Sequence, residues 1–335
     1  KREDKTFRMY SKNFEKLGIK EFSLDKLINI PSDNWANYPK GVIKTFIDAG
    51  YKIDKELDIL FFGNIPNGAG LSSSASIELL TSVILKENFK LNIDMIEMVK
   101  LSQKAENNFI GVNCGIMDQF AIGMGKKDNA ILLDCNTLEY HYAPVKLNGA
   151  SIVIANTNKK RGLADSKYNE RRNSCEAAVK VLNKNGIDIK NLGELSVKKF
   201  NEVKHFITDK EQLKRATHAV TENERTKTAV EELNAGNVKA FGKLMNQSHI
   251  SLRDDYEVTG FELDSLVEAA WEAKGVIGAR MTGAGFGGCT VSIVEDEFID
   301  EFIKSVGEKY KSKTGLTADF YVAKIGDGSR KLGDF

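Results

Sequence analysis

The stretch Leu57-Asp58-Ile59-Leu60-Phe61-Phe62 runs straight into Gly63-Asn64-Ile65-Pro66-Asn67-Gly68-Ala69-Gly70-Leu71-Ser72-Ser73-Ser74. Its first six residues have the length and apolar content of a strand. Beyond the loop, Ile77, Leu80, Val83 and Ile84 recur at three- and four-residue steps and predict a helix over about 73–87 with those four on one face. The order is strand, glycine/serine loop, helix. Glycine lets a backbone come close to a ligand. The free amides and the dipole at a helix N-terminus favour an anion there. Three serines add hydroxyl donors and a possible Mg²⁺ ligand, so Gly68–Ser74 reads as a phosphate cradle rather than a slack turn. It is not the GxxxxGK[ST] loop, because it has no Lys, and not GxGxxG, because Ser73 stands where the third glycine belongs.

Working outward, Met95, Met98, Leu101, Ala105 and Phe109 predict a helix over about 93–108, followed by a loop over 111–118. Residues 130–133 and 151–155 read as strands. Helices are expected at about 166–183, 222–235, 237–250, 261–273 and 297–311, and strands at 290–294 and 320–324. Gly283, Gly285 and Gly288 do satisfy GxGxxG, but the strand-like Thr290–Val294 follows where a dinucleotide site needs a helix. This second glycine loop is better suited to closing on a substrate or on the first loop. Strands and helices come in blocks rather than strict alternation, which favours an α+β fold.

Composition narrows the function classes. At 335 residues two domains are the default, and roughly three quarters of the unfolded surface can be buried without metal or disulfide staples. Lys plus Arg number 48 against 47 for Asp plus Glu, so the net charge is +1. That balance argues against nucleic-acid or polybasic membrane-surface binding. Cys114, Cys135, Cys175 and Cys289 form no CxxC pair and read as reduced thiols of a cytoplasmic protein. His141, His205, His218 and His249 are scattered without zinc spacing. No apolar run approaches the ~20 residues that span a bilayer, and no signal peptide is visible. The numbering starts at Lys1 with no initiator Met, so a longer gene product is expected.

Two carboxylates stand out. Asp118 lies among small and apolar residues in Asn113-Cys114-Gly115-Ile116-Met117-Asp118-Gln119-Phe120, as expected of an acid held at a site. Near a cation it would stay ionised and accept a hydroxyl proton. Glu106, near a helix end, could join a hydroxyl and phosphate oxygens around Mg²⁺. Taken alone, each is a weak signal, since a lone acidic residue is more often a helix cap or a solvated face. Tyr168 lies on the apolar stripe of its helix, where core packing competes with ligand contact. Trp35 could stack on a purine or be plain core. The basic stretch Asn158-Lys159-Lys160-Arg161 is a solvated face or a phosphate-facing wall.

Taken together, these motifs resemble a known family. Gly63–Pro66 through Gly68–Ser76 is similar to the phosphate loop of the kinase superfamily named for galactokinase, homoserine kinase, mevalonate kinase and phosphomevalonate kinase (GHMP). Met281-Thr282-Gly283-Ala284-Gly285-Phe286-Gly287-Gly288-Cys289 is similar to its third motif. Cys114–Phe120, Ala164–Arg172, Asn34–Tyr38 and Leu252–Tyr256 resemble the galactokinase family in particular.

The resemblance implies a two-domain α+β kinase with its active site in the interdomain cleft. The N-terminal domain would cover 1–130 and the C-terminal domain 131–315, with 316–335 returning to the first. The cofactors implied are ATP and Mg²⁺. Gly68, Ala69, Gly70, Leu71, Ser72, Ser73 and Ser74 would cradle the ATP phosphates, with Trp35 near adenine and Ser11 lining the nucleotide site. Ser74 and Glu106 would hold Mg²⁺. Asp118 would be the catalytic carboxylate, and Gly115, Asp118 and Tyr168 would contact D-galactose. The product would be α-D-galactose 1-phosphate. A kinase of another sugar (N-acetylgalactosamine, arabinose or a galacturonate) and a non-catalytic galactose/ATP sensor remain the alternatives. The chain is expected to act as a monomer, with homo-oligomers left open. The family also carries an N-terminal signature, roughly GRxNLIGEHTDY, which supplies a phosphoryl-stabilising Arg and part of the sugar grip. It is expected ahead of Lys1, and without it sugar binding and turnover should be severely reduced.

Overall fold

The computed structural model describes residues 6–66, 70–159 and 164–333. In the first half, β1 (Phe7–Ser11), β2 (Lys20–Phe22), α1 (Asn37–Asp48), β3 (Asp58–Phe61), α2 (Ser73–Phe89), α3 (Met95–Ala105) and α4 (Met117–Met124) surround one core. β1 alternates inward Phe7, Met9 and Ser11 with outward Arg8 and Tyr10, the period of a half-buried strand. It pairs antiparallel with β2 and parallel with β3, Met9 lying opposite Ile59. Phe7, Met9, Val42, Phe46, Leu79, Leu85 and Val99 meet beneath this sheet.

Two ends in this half matter for the site. Ser72 takes a left-handed conformation (φ 62°, ψ 32°) and makes no side-chain cap bond to α2. A non-glycine residue rarely adopts that conformation. The N–H groups of the first turn of α2 therefore point outward without intrahelical partners. α3 is capped by Asp94, whose carboxylate accepts the Glu97 N–H at 2.8 Å. It widens at its other end into a π-turn over Glu106–Ile110, a distortion that recurs at functional positions.

An antiparallel ribbon of β4 (Asn129–Leu133) and β5 (Tyr140–Pro144) follows, with Ile131 opposite Tyr142. It packs on the first half through Tyr140 on Phe120, and the Tyr142 hydroxyl donates to the Met124 carbonyl. Its other side touches a helix of the second half.

The second half holds β6 (Ala150–Asn156), α5 (Ala164–Lys184), α6 (Val197–Val203), α7 (Lys210–Asn234), α8 (Val238–Ser251), α9 (Phe261–Trp271), β7 (Val276–Met281), β8 (Cys289–Glu295), α10 (Ile299–Thr314) and β9 (Asp319–Ala323). Its sheet is antiparallel in the order β7-β8-β6-β9, with α9 and α10 packed on it through Leu266, Val267, Phe302, Val306 and Tyr310. A separate core gathers α5, α6 and α7 around Ala178, Leu182, Phe200 and Val220. Among the described residues no helix is long and apolar enough to cross a membrane, and the four cysteines form no disulfide.

Three expectations need adjustment. The last strand was expected to return to the first domain with 316–335. Instead β9 pairs with β6, Val322 opposite Val153, because its half-buried face completes the second sheet. Only the chain beyond it crosses back, where the Gly328 and Ser329 N–H groups donate to the Gly125 and Ile122 carbonyls. The apolar face read for α2 is only in part the buried one, with Val83 buried and Ile77 and Ile84 packed against the core. Leu80 is exposed, while Glu78, Thr81 and Ser82 are buried with Leu79 and Val83. This helix lies between the core and a cavity, and its inward hydroxyls are satisfied locally, as Ser82 is by Ser102 at 3.0 Å. α7 begins at Lys210, twelve residues earlier than its apolar spacing suggested, where Asp209 caps it by accepting the Gln212 N–H at 2.9 Å.

Candidate active site

A cavity of about 500 Å³ opens beside the first glycine/serine loop. Ser11, Trp35, Ser73 and Ser74, all singled out in the sequence, line it together with Asn13, Phe14, Tyr38 and Leu80. Trp35 is buried, parallel to Phe14 at 6.5 Å between ring centroids and edge-on to Phe61 at 5.5 Å. Its Nε1–H has no hydrogen-bond partner among the described residues, and Asn34 before it holds a positive φ of 50°. Ser11 caps the following turn by accepting the Asn13 N–H at 3.2 Å. Gly68 and Ala69 lie outside the described residues. Gly70 is described with φ 75°, and Leu71 leads from it to Ser72 at the head of α2.

At the inner end of this loop three helices converge. Ser74 comes from the first turn of α2, Glu106 from the π-turn after α3, and Asp118 from the first turn of α4, where the helix dipole favours a carboxylate. Glu106 is buried, and burial raises its pKa, while hydrogen bonds from Ser74, Cys114 and Gln119 oppose that rise and the Asp118 charge adds to it. Glu78, one turn beyond Ser74, is fully buried. Burial first, then the Glu106 charge, pushes its carboxyl up to about 9, so it is protonated at neutral pH. Burial, and after it the charges of Glu106 and Glu78, pushes the Cys114 thiol up to about 12. Burial and the charges of Glu106 and Glu78 also raise Tyr38.

Among the described residues no group of three or more His, Cys, Asp or Glu side chains is placed to hold a metal ion alone. The donor set nevertheless suits Mg²⁺, which takes one or two protein oxygens and completes its shell with water and phosphate. Ser74 and Glu106 supply a hydroxyl and a carboxylate in contact with each other. A divalent cation there would also relieve the mutual repulsion of neighbouring carboxyls.

The second glycine loop faces the first. It joins β7 to β8, so a strand does follow it, as its sequence indicated. Thr282 N–H donates to the Cys289 carbonyl at 2.9 Å and closes the loop's base. A Cβ at Gly283 would meet the Gly70 carbonyl oxygen at 3.4 Å, so the loops from the two halves touch. A Cβ at Gly285 would stand 2.1 Å from the Val258 carbonyl oxygen, and that carbonyl accepts the Phe286 N–H at 2.8 Å. From below, the buried His249 Nδ1 accepts the Met281 N–H at 3.2 Å.

The remaining sequence candidates are less tightly gathered. Gly115 is exposed in the turn leading into α4. Tyr168 lies on α5, but its side chain is outside the described residues. Lys159 pairs with Glu262 at 2.6 Å, which makes it part of a surface ion pair, and Lys160 and Arg161 are outside the described residues. Sequence reasoning missed Tyr38, Glu78 and Gln119. Tyr38 sat unused in a quoted motif. Only the four-residue step from Ser74 could have put Glu78 on the face of the site.

The fold and this site define a class. The family models described as GHMP kinases N terminal domain and GHMP kinases C terminal match residues 37–126 and 229–312. The mevalonate kinase of Methanococcus jannaschii shares the fold, with a TM-score of 0.63 at 19% identity over 97% of this chain and 86% of that one. More similar relatives narrow the class. The galactokinase of Fusobacterium nucleatum subsp. nucleatum is 75% identical over 99% of this chain and 85% of its own length. That of Bacillus subtilis is 57% identical with the same coverage. The crystal structure of Lactococcus lactis galactokinase complexed with galactose superposes with a TM-score of 0.94 at 52% identity, covering 99% of this chain and 85% of that one. The chain belongs to the GHMP kinases, in their galactokinase family.

Proposed function

We propose that the chain transfers the γ-phosphoryl group of ATP to the anomeric hydroxyl of D-galactose, giving α-D-galactose 1-phosphate and ADP. The observation that carries the reading is the convergence of Ser74, Glu106 and Asp118 at the head of α2, beside a cavity lined by Ser11 and Trp35. Its similarity to a galactokinase complexed with galactose supports the choice of sugar.

In this reading Trp35 and Ser11 flank the adenine end of the cavity. The outward N–H groups at the start of α2, with the 68–74 loop, grip the ATP phosphates. Ser74 and Glu106 would hold Mg²⁺, which when bound neutralises phosphate charge. Asp118 receives the proton of the anomeric hydroxyl or holds that hydroxyl in line as its oxygen bonds to the γ-phosphorus and the bond to ADP breaks. Gly115 and Tyr168 would contact the sugar. No covalent enzyme intermediate is needed, and most of the barrier is lowered by alignment and charge stabilisation. The touching loops of Gly70 and Gly283 support a cleft between two domains divided near residue 130, inside β4. Both loops belong to one chain, which supports a monomer as the working unit. The cytoplasm is the proposed setting, since ATP is the donor and the thiols are unpaired.

The test is sugar-dependent ADP release with MgATP, comparing D-galactose with N-acetylgalactosamine, arabinose and galacturonate. Galactose should stimulate release well above the sugar-free rate and above the other sugars. Equal or better turnover of another sugar would displace galactose. Galactose binding without ADP release would replace the kinase with a sensor.

A further inference from the structure

Glu78 has no part in the reaction as set out above, yet it stands one helical turn from Ser74 and is fully buried. It lies against Glu106 and also contacts Gln119, the residue after Asp118, which is likewise fully buried. The Gln119 Nε2 donates to Glu78 Oε2 at 3.0 Å and to Glu106 Oε2 at 2.6 Å. An amide nitrogen carries two hydrogens, so both are committed. Among the described residues, Glu78 Oε1 and Gln119 Oε1 are buried with no hydrogen-bond partner. Each such atom is costly, and a side chain serving only to fill space here would be apolar.

The carboxyl does something an apolar group cannot. A glutamine amide can turn over and exchange its oxygen and nitrogen. With the Glu106 carboxylate and the carbonyl oxygen of the Glu78 carboxyl flanking it, the orientation with nitrogen towards them satisfies both. Without Glu78, one hydrogen loses its partner and the amide is anchored by Glu106 alone, free to swing about that single contact. Gln119 is also the next residue to Asp118 on α4, so its anchoring sets the rotation of that helix.

We propose that Glu78 is a positioning residue, which acts through the shared amide of Gln119 to aim Glu106 towards Ser74 and to fix Asp118 on α4. This rests on the reading of Ser74, Glu106 and Asp118 given above. Outer contacts of this kind typically change metal affinity or activity by ~10–100-fold when removed.

The experiment compares the full chain with E78Q, E78L and Q119M. Circular dichroism and thermal melting first establish which variants fold. Two quantities are then read: the Mg²⁺ concentration giving half-maximal ADP release, and ADP affinity with Mg²⁺ or with EDTA, followed by the fluorescence of Trp35 in the cavity. E78Q keeps an oxygen for Gln119 and should stay within about twofold of the parent in both. E78L should need about tenfold more Mg²⁺ and lose the Mg²⁺-dependent part of ADP affinity, with ADP affinity in EDTA unchanged. Q119M should reproduce this and decides the matter if E78L does not fold. A folded E78L or Q119M with the parent's Mg²⁺ dependence overturns the proposal, as does an E78Q impaired as severely as E78L. If the parent itself shows no sugar-dependent ADP release, the proposed function fails. The Mg²⁺-dependent difference in ADP affinity then still decides the role of Glu78.

Discussion

Replacing Gly285 with alanine puts a methyl group where the structure has no room for one. Its φ is +83°, and the new Cβ would stand 2.1 Å from the Val258 carbonyl oxygen and 3.0 Å from that carbonyl's carbon. Both neighbours are backbone, so neither can swing aside. Holding an L-residue in the left-handed region costs ~1–2 kcal/mol. Restoring an ordinary van der Waals distance moves the loop by about 1 Å. That shift breaks the Phe286–Val258 hydrogen bond, worth ~1 kcal/mol net. The total is about 2–3 kcal/mol, a fall in Tm of roughly 4–12 °C at ~2–4 °C per kcal/mol. The catalytic effect is larger, because a misplacement of ~1 Å can cost ~10²-fold in rate, and Gly283 on the same loop touches Gly70 of the phosphate loop. Gly315→Ala is the control. It has φ +74° but nothing within 4 Å of the added Cβ, so it carries the backbone strain and leaves the site alone. Steady-state kinetics at saturating Mg²⁺ and thermal melts should show kcat down ~100-fold for G285A and unchanged for G315A. If G285A retains a kcat within about threefold of G315A, the second loop is not held in place through Val258, and the reasoning fails.

Three further outcomes are expected. Asp118→Asn should lower kcat by ~10²–10⁴-fold while ADP affinity stays near that of the parent, and a loss below about tenfold would remove the residue from its central role. Ser74→Ala should raise the Mg²⁺ concentration for half-maximal rate, and an unaltered Mg²⁺ titration would count against the hydroxyl as a ligand. His218 is buried against Tyr256 with Nδ1 3.0 Å from the Ser251 hydroxyl, and burial lowers its pKa from 6.5 to about 4. The unfolded chain therefore binds the extra proton first. This contribution is fully present above pH 6.5 and is lost as pH falls towards 4, on the order of 3 kcal/mol in all. Urea unfolding at pH 7.5 and 5 should show the loss in the parent and a flatter response in H218N. Equal responses would rule His218 out as its source.

How much of this was legible in the sequence depended on range. The loop at 68–74 could be read because the strand before it, the glycines and the helix after it are contiguous. Ser74, Glu106 and Asp118 could be named from their motifs, but their meeting depends on the packing of α2, α3 and α4, which no local pattern states. Glu78 was hidden for a further reason. An acid in a helix usually marks a solvated face, and the amide that accommodates this one lies forty-one residues away. Leu80 misled in the opposite direction: it belongs to the apolar repeat of α2 yet lines the cavity, where an apolar wall suits a ligand ring as well as it suits a core. β9 has the look of a simple terminal strand, and only its register with β6 reveals which sheet it completes.

The crossing of the chain beyond β9 bears on how the molecule can move. Gly328 and Ser329 are hydrogen-bonded to the end of α4, and a Cβ at Gly328 would lie 2.4 Å from the Gly123 carbonyl oxygen. The two halves are thus joined twice, covalently through the β4–β5 ribbon and by hydrogen bonds through this tail. A single tether would allow twist and swing in any direction, whereas two restrain the halves to rocking about the line that joins them. The loops at Gly70 and Gly283 would then part and meet along one arc. The tail also grips the helix that carries Asp118 at its other end, so tension on the chain's last residues would be felt at the site without passing through either loop.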